Sequence, residues 1–248
     1  MSDVFKKSPT LNARRNAMIE VLPAILADTA DDLREKLFFP GLWQPGMTAH
    51  VDILDGTMFG STCFCDASAI AMRSSATLQS GSALPFIELH CMVQNPLPII
   101  TQWAAMIPET IRAIIHAEIK RPIEPILQGI HDLALEAGIA LCPETSVDVV
   151  ARYRANIDRV LVMGIHPGAS GKPFLGEPIL ATIRRIRAVH SDLAIGVDGG
   201  ITADVAERAV RAGANALIAS SAIWNSPRPI QAYEQLTHSI ALPANPQI

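Results

Sequence analysis

The stretch LAIGVDGGITADVAERAVRAGANALIASS, residues 193–221, reads as one complete unit of architecture. An apolar run, Leu193–Val197, ends in Asp198 and two glycines. Apolar residues then recur at helical spacing over Ala203–Ala212, and a second apolar run follows from Ala214. Thr202 stands where the helix needs an N-cap and Gly213 where it must stop. Strand, helix and strand in this order make a crossover between parallel strands.

The same unit recurs outward in both directions. Apolar runs appear as IEVLPAILA, TAHVDIL, PFIELHCMV, TIRAIIHAE, GIALCP, RVLVMGI, LAIGVDGG and ANALIASS. Helical spacing appears over Asp31–Phe38, Ile123–Ala137, Glu177–Val189, Ala203–Ala212 and Pro229–Thr237. Thr29 and Ser146 are further N-cap candidates, and Gly138 a further stop. Near-continuous apolar strands are those buried on both faces. Eight such units predict an α/β fold, a single-domain (β/α)8 TIM barrel over 20–248, with 1–19 as a flexible N-terminal extension. A doubly wound open sheet is the alternative, but no GxGxxG follows the first strand.

Composition narrows the function classes. The chain is 49% hydrophobic and 18% charged, enough for a sizeable core. A net charge of −4 argues against a nucleic-acid or membrane-surface partner. No apolar run reaches the roughly 18–20 residues that span a bilayer. The first residues lack the apolar centre of a secretory signal, so the expected location is cytoplasmic. Four cysteines in so large a core do not suggest a disulfide framework. Cys63 and Cys65 have no second pair at a zinc-site spacing, and Cys91 and Cys142 read as small buried hydrophobes.

Polar residues interrupt the apolar runs at particular places. Side chains alternate along a strand, so Val51 and Ile53 face the helices while His50, Asp52 and Leu54 face the barrel interior. The same parity turns Glu88, His90 and Met92 inward on the third strand, and Ala194, Gly196 and Asp198 inward on the seventh. His50, Asp52, His90 and Asp198 therefore converge from three strand ends, where barrels of this class keep their catalytic groups. Two imidazoles and two carboxylates suit Zn, Fe(II), Mn or Co, and ligand softness does not choose among these. Asp55 has the opposite parity to Asp52 and is expected to bond within the turn.

A second constellation suits phosphate. The loop GIHPGASGKPF after the sixth strand contains Gly168, Ala169, Ser170 and Gly171, and its glycines let backbone N–H groups approach an anion. Gly199 and Gly200 follow Asp198, and the eighth strand ends in Ser220 and Ser221. Loops after strands 7 and 8 are the usual phosphate cradle of this barrel. Lys172 reads either as a further charge for that anion or as a solvated loop lysine.

LPAILADTADDLREKL, HVDILDG, LHCMVQNP, LVMGIHPGASGKPF and GVDGGITADVAERAVRAGANALIASSAIW together resemble the ribulose-phosphate 3-epimerase family. The resemblance implies a (β/α)8 enzyme of the isomerase class. Its members interconvert D-ribulose 5-phosphate and D-xylulose 5-phosphate through an enediolate. It implies His50, Asp52, His90 and Asp198 as ligands of one divalent metal, with zinc the default, and Asp52 and Asp198 as the acid/base pair. It also implies a homo-oligomer, Met92 in the pocket, and His116 as pocket lining or support for a ligand. The chain departs from the family's usual pattern at Ala24 for serine, Leu54 for methionine, TMFGS after the DG, and HPGASGK in the sixth loop. Another phosphorylated ketose, such as allulose 6-phosphate, is the sibling alternative. A lyase or synthase barrel resembles DxKxxD and would need a lysine where Leu54 stands. A non-catalytic sugar-phosphate-binding barrel is the third reading.

Overall fold

The computed structural model describes residues 19–71, 84–168 and 171–241. Its strands are β1 (Glu20–Ile25), β2 (Thr48–Leu54), β3 (Phe86–Met92), β4 (Thr110–His116), β5 (Glu136–Leu141), β6 (Arg159–Met163), β7 (Ala194–Asp198) and β8 (Ala216–Ala219). They close into a barrel in sequence order, and the last strand pairs parallel to the first, with Glu20 opposite Ala216. The expected (β/α)8 barrel is the fold observed. Closure leaves no sheet edge to protect.

Around it lie α1 (Ala30–Leu37), α2 (Ser68–Ala71), α3 (Pro96–Met106), α4 (Ile123–Asp132), α5 (Asp148–Tyr153), α6 (Glu177–Val189), α7 (Ala203–Ala212), α8 (Ser221–Trp224) and α9 (Pro229–Ala241). Among the described residues no helix is long and apolar enough to cross a membrane. Residues 1–18 of the expected N-terminal extension lie outside the described residues.

The helix ends follow local chemistry. The Thr29 hydroxyl accepts the Asp32 N–H, and the Thr202 hydroxyl accepts the Val205 N–H, as N-caps do. α7 ends at Gly213, whose φ of 113° is costly for any residue with a Cβ. Three expectations need correction. Gly138 does not stop a helix: it lies within β5, paired with Ile114 and Arg159. α4 ends instead at Asp132, and the chain turns through Ala134 at a φ of 62°. Ser146 stands one residue before the cap of α5, although its hydroxyl still accepts the Asp148 N–H at 3.3 Å. α3 went unread because PLPIITQWAAM is apolar nearly all round and offers no periodic stripe.

Strand parity sorts the core into two clusters. Val51, Ile53, Leu89 and Cys91 face outward and pack with helix residues such as Leu33 and Trp103. A separate cluster of Leu22, Ala24, Ile114, Ala140, Leu161, Met163, Ala216 and Ile218 fills the barrel interior. The interior also takes buried polar residues: His50 on β2, Glu88 and His90 on β3, Arg112 and His116 on β4, and Arg159 on β6.

Such polarity inside a barrel must be satisfied internally. Glu88, with no exposed surface, accepts from Arg112 Nη1, from Arg159 Nη1 at 3.2 Å and from His50 Nδ1 at 2.7 Å. Arg112 also donates to Glu136 at 2.7 Å, and Arg159 to Glu20 at 3.3 Å. Burial alone would raise the Glu88 pKa, but the Arg159 and Arg112 charges outweigh it and hold the carboxylate well below its ordinary range.

Removing one partner from a buried ion cluster costs about 3–5 kcal/mol. Arg112→Leu is therefore expected to lower unfolding stability by about 3 kcal/mol at pH 7 in urea titrations. The sign with pH follows from the depressed Glu88 carboxylate. Its contribution is full above the ordinary glutamate value of 4.5 and is lost as pH falls through the lowered one. The gap between wild type and Arg112→Leu should narrow below that value.

Candidate active site and metal centre

The C-terminal ends of β2, β3 and β7 bring four ligand atoms together. His50, Asp52, His90 and Asp198 each offer one, all within 4.8 Å of one another. His90 Nδ1 lies 2.9 Å from Asp52 Oδ1 and 3.5 Å from Asp198 Oδ2. His50 Nε2 lies 3.4 Å from Asp52 Oδ1 and 3.9 Å from Asp198 Oδ2. The imidazoles are wholly buried, and the carboxylates retain 13% and 14% exposure, so the cluster opens to one side.

The geometry fits a divalent cation. His50 Nε2 is buried and makes no hydrogen bond, although two carboxylates face it. A buried imidazole nitrogen is rarely left unsatisfied. A cation there would take this nitrogen, His90 Nδ1 and an oxygen from each aspartate, a donor set suited to Zn, Fe(II), Mn or Co.

Without an ion, the electrostatics of the cluster are polarised. Burial depresses the His50 pKa, yet the Asp52 and Glu88 carboxylates outweigh it and raise it to about 10. Burial also works to raise Asp52, but the neighbouring His50 and His90 imidazoles outweigh it and hold it below the usual carboxylate range. Asp198 is pushed up to about 6, first by burial and next by the Asp52 charge. One aspartate is thus held ionised while its neighbour takes a proton more readily.

A cleft opens above the cluster. Its lining brings Asp52, Leu54, Met92 and Asp198 together with Gly168, Gly171, Gly199, Gly200, Ser220 and Ser221. The expected acid/base pair and most of the expected phosphate residues therefore share one cavity. Ala169 and Ser170 lie outside the described residues. At Gly200 a side chain has no room: φ is +70°, and a Cβ would come within 2.5 Å of the Phe174 backbone nitrogen. Glycine there lets the Phe174 backbone pack directly on the start of the loop after β7. Lys172 does not line this cleft; its ammonium donates to the His166 carbonyl at 3.0 Å and braces its own loop.

Asp55 behaves as its parity suggests. Its carboxylate accepts the Thr57 N–H at 2.9 Å and the Thr57 hydroxyl at 2.5 Å. Thr57 in turn accepts the Gln94 N–H, and Gln94 accepts the Lys120 N–H, so the loops after β2, β3 and β4 are laced together.

Behind His90 lies a further polar chain. His90 Nε2 is 2.9 Å from His116 Nε2, and His116 Nδ1 is 3.0 Å from Glu118 Oε2. His116 thus lies behind His90, bonded to it on the side away from the cleft. Burial lowers its pKa to about 4. Glu118, half-exposed by comparison, is held down to about 2: burial opposes this, but His116, Thr145 and the Cys142 N–H outweigh it. Cys142 is only partly buried, not the buried hydrophobe expected, and its Sγ sits 3.8 Å from His116 Nδ1. Glu118 was missed, although it follows His116 by two residues and so shares its parity. Glu88 was seen to face inward but was given no partner, because nothing local in the sequence announces Arg112 and Arg159 as its neighbours.

Comparison with known proteins identifies the family. The ribulose-phosphate 3-epimerase family matches residues 21–224. A ribulose-phosphate 3-epimerase from Schizosaccharomyces pombe is 29% identical over 191 residues, covering 77% of this chain and 81% of the relative. One from Bacillus subtilis is 27% identical over 213 residues, covering 84% and 93%. Among solved structures, Mycobacterium tuberculosis tryptophan synthase superposes with a TM-score of 0.66 at 14% identity, covering 94% of this chain and 96% of that one. That last likeness concerns the barrel alone. The match over most of its length shows that the chain belongs to the ribulose-phosphate 3-epimerase family.

Proposed function

We propose that the protein is a metal-dependent epimerase that inverts C3 of a ketose phosphate, with D-ribulose 5-phosphate and D-xylulose 5-phosphate as its pair of substrates. The observation that carries this reading is the convergence of His50 Nε2, Asp52, His90 Nδ1 and Asp198 at the floor of a cleft also lined by glycine and serine.

Epimerisation beside a ketone removes the C3 proton from one face and returns a proton to the other. A carboxylate is needed on each side of the planar enediolate. Asp52 comes from β2 and Asp198 from β7, three strands apart around a ring of eight, so they reach the substrate from different walls. One accepts the proton as general base while the other donates as general acid. A divalent ion held by His50, Asp52, His90 and Asp198, with zinc as the working assignment, would stabilise the negative charge that develops on the enediolate oxygens. Gly168, Gly171, Gly199, Gly200, Ser220 and Ser221 offer backbone and hydroxyl donors to the phosphate, which orients C3 between the carboxylates. Met92 and Leu54 give that position an apolar wall.

The deciding experiment incubates metal-loaded protein with D-ribulose 5-phosphate in deuterated water. Deuterium at C3, with D-xylulose 5-phosphate formed, is the expected result. No exchange with any of a panel of pentulose and hexulose phosphates would overturn the proposal, and exchange with a hexulose phosphate alone would reassign the substrate. Asp198→Asn should lower turnover by about 10²–10⁴-fold, measured by coupled assay. Unphosphorylated D-ribulose should lose kcat as well as KM, because binding energy at the phosphate orients the reacting carbon.

A further inference from the structure

Two imidazole nitrogens, His90 Nε2 and His116 Nε2, face each other at 2.9 Å. A hydrogen bond between them needs one proton, and its owner decides which nitrogen His90 offers to the cleft. We infer that Glu118 is a positioning residue: through His116 it places the His90 proton on Nε2 and leaves Nδ1 open toward Asp52 and Asp198. This rests on the reading of His90 as a cation ligand.

The argument runs along the chain of atoms. An ionised carboxylate only accepts hydrogen bonds. Glu118 Oε1 is already taken by the Cys142 N–H at 2.9 Å and by the Thr145 hydroxyl, which leaves Oε2 facing His116 Nδ1 at 3.0 Å. His116 must therefore carry its proton on Nδ1. An uncharged His116 then presents a lone pair at Nε2, so the shared proton belongs to His90 Nε2. A cation held by the four-ligand set would take the place of any proton on His90 Nδ1, 2.9 Å from Asp52 Oδ1 and 3.5 Å from Asp198 Oδ2, so a ligating His90 keeps its one proton on Nε2. The reverse arrangement would set the His116 Nδ1 lone pair against a carboxylate and close the cleft side of His90 with an N–H.

The same logic disposes of the rival use of these residues. His116, Glu118 and Cys142 also gather as three ligand types. A cation on His116 Nδ1 would need that lone pair, moving a proton to His116 Nε2 and from there forcing the His90 proton onto Nδ1. The two positions compete for one proton, and the four-ligand set takes it. Residues that orient a ligating histidine typically change metal affinity by about 10–100-fold when altered.

The test strips the full chain of metal and reloads it. With zinc bound, long-range proton–nitrogen NMR of the histidine rings should show His90 protonated at Nε2 and His116 at Nδ1 in wild type, and a mixture of His116 tautomers in Glu118→Gln. Cobalt(II) titration against a competing chelator should give one ion per chain, with affinity falling about 10–100-fold in Glu118→Gln and the visible spectrum of the bound ion altered. His116→Gln, which keeps an acceptor for His90, should lose less affinity than His116→Leu. Unchanged affinity, spectrum and tautomer in Glu118→Gln would overturn the inference, as would a second cobalt ion showing a thiolate charge-transfer band. If wild type binds cobalt with no response from His90, the reading of His90 as a ligand fails instead. Binding through His90 that ignores Glu118 defeats only the positioning role.

Discussion

The Glu88 carboxylate, with no exposed surface, is the constraint on which the interior is organised. It is stable there only because Arg112 and Arg159 surround it from β4 and β6 and because His50 donates to it. The Arg159 contact joins β3 to β6, strands that are not neighbours, so the barrel interior is held partly by charge where a smaller apolar cluster fills the rest. The bond from His50 Nδ1 has a second effect. It uses up one face of the ring and turns the other nitrogen, Nε2, toward Asp52 and Asp198.

Much of this was legible in the sequence because strand parity is a strong rule. Once HVDIL and ELHCM are read as strands buried on both faces, the outward set Val51, Ile53, Leu89 and Cys91 and the inward set His50, Asp52, Glu88 and His90 follow without knowledge of the tertiary structure. Local chemistry likewise announced the ends of α7 at Thr202 and Gly213. Where the sequence misled, a tertiary demand had overruled a local one. Gly138 looked like a helix stop, yet β5 needs a residue without a Cβ there: one would lie 2.8 Å from the Ile114 side chain. The turn after α4 fell to Ala134, a residue that gives no left-handed signal.

The rim was less legible than the floor. Its side chains meet across loops whose separation in sequence says nothing about their distance in space. His166 reaches Glu144 at 3.4 Å between the loops after β6 and β5. Asp55, Thr57, Gln94 and Lys120 form a chain across three loops. Thr57 is part of TMFGS, where the chain leaves its family's usual pattern. The substitution has a physical role, since the Thr57 hydroxyl accepts the Gln94 N–H and so sets the height of the loop after β3. Phe59, from the same segment, packs edge-on against His116 at 4.9 Å. The segment that departs from the family's pattern thus also covers the polar chain behind His90.

The two histidines show how register turns into chemistry. In the parallel pairing of β2 and β3, His50 lies opposite Glu88 and Asp52 opposite His90, so acid and imidazole alternate across the two strands. Glu88 accepts the hydrogen bond from His50 Nδ1, which leaves Nε2 for the cleft. His90 is one step higher and meets Asp52 with Nδ1, so its Nε2 must find a partner on the side away from the cleft. β4 supplies that partner as His116, which lies at the strand end and hands the demand on to Glu118. Opposite nitrogens therefore face one point because the two rings are anchored by different carboxylates, His50 by Glu88 inside the barrel and His90, through His116, by Glu118 past the end of β4. Exchanging either anchor for a hydrogen-bond donor would reverse a tautomer and turn a lone pair in the cluster into an N–H.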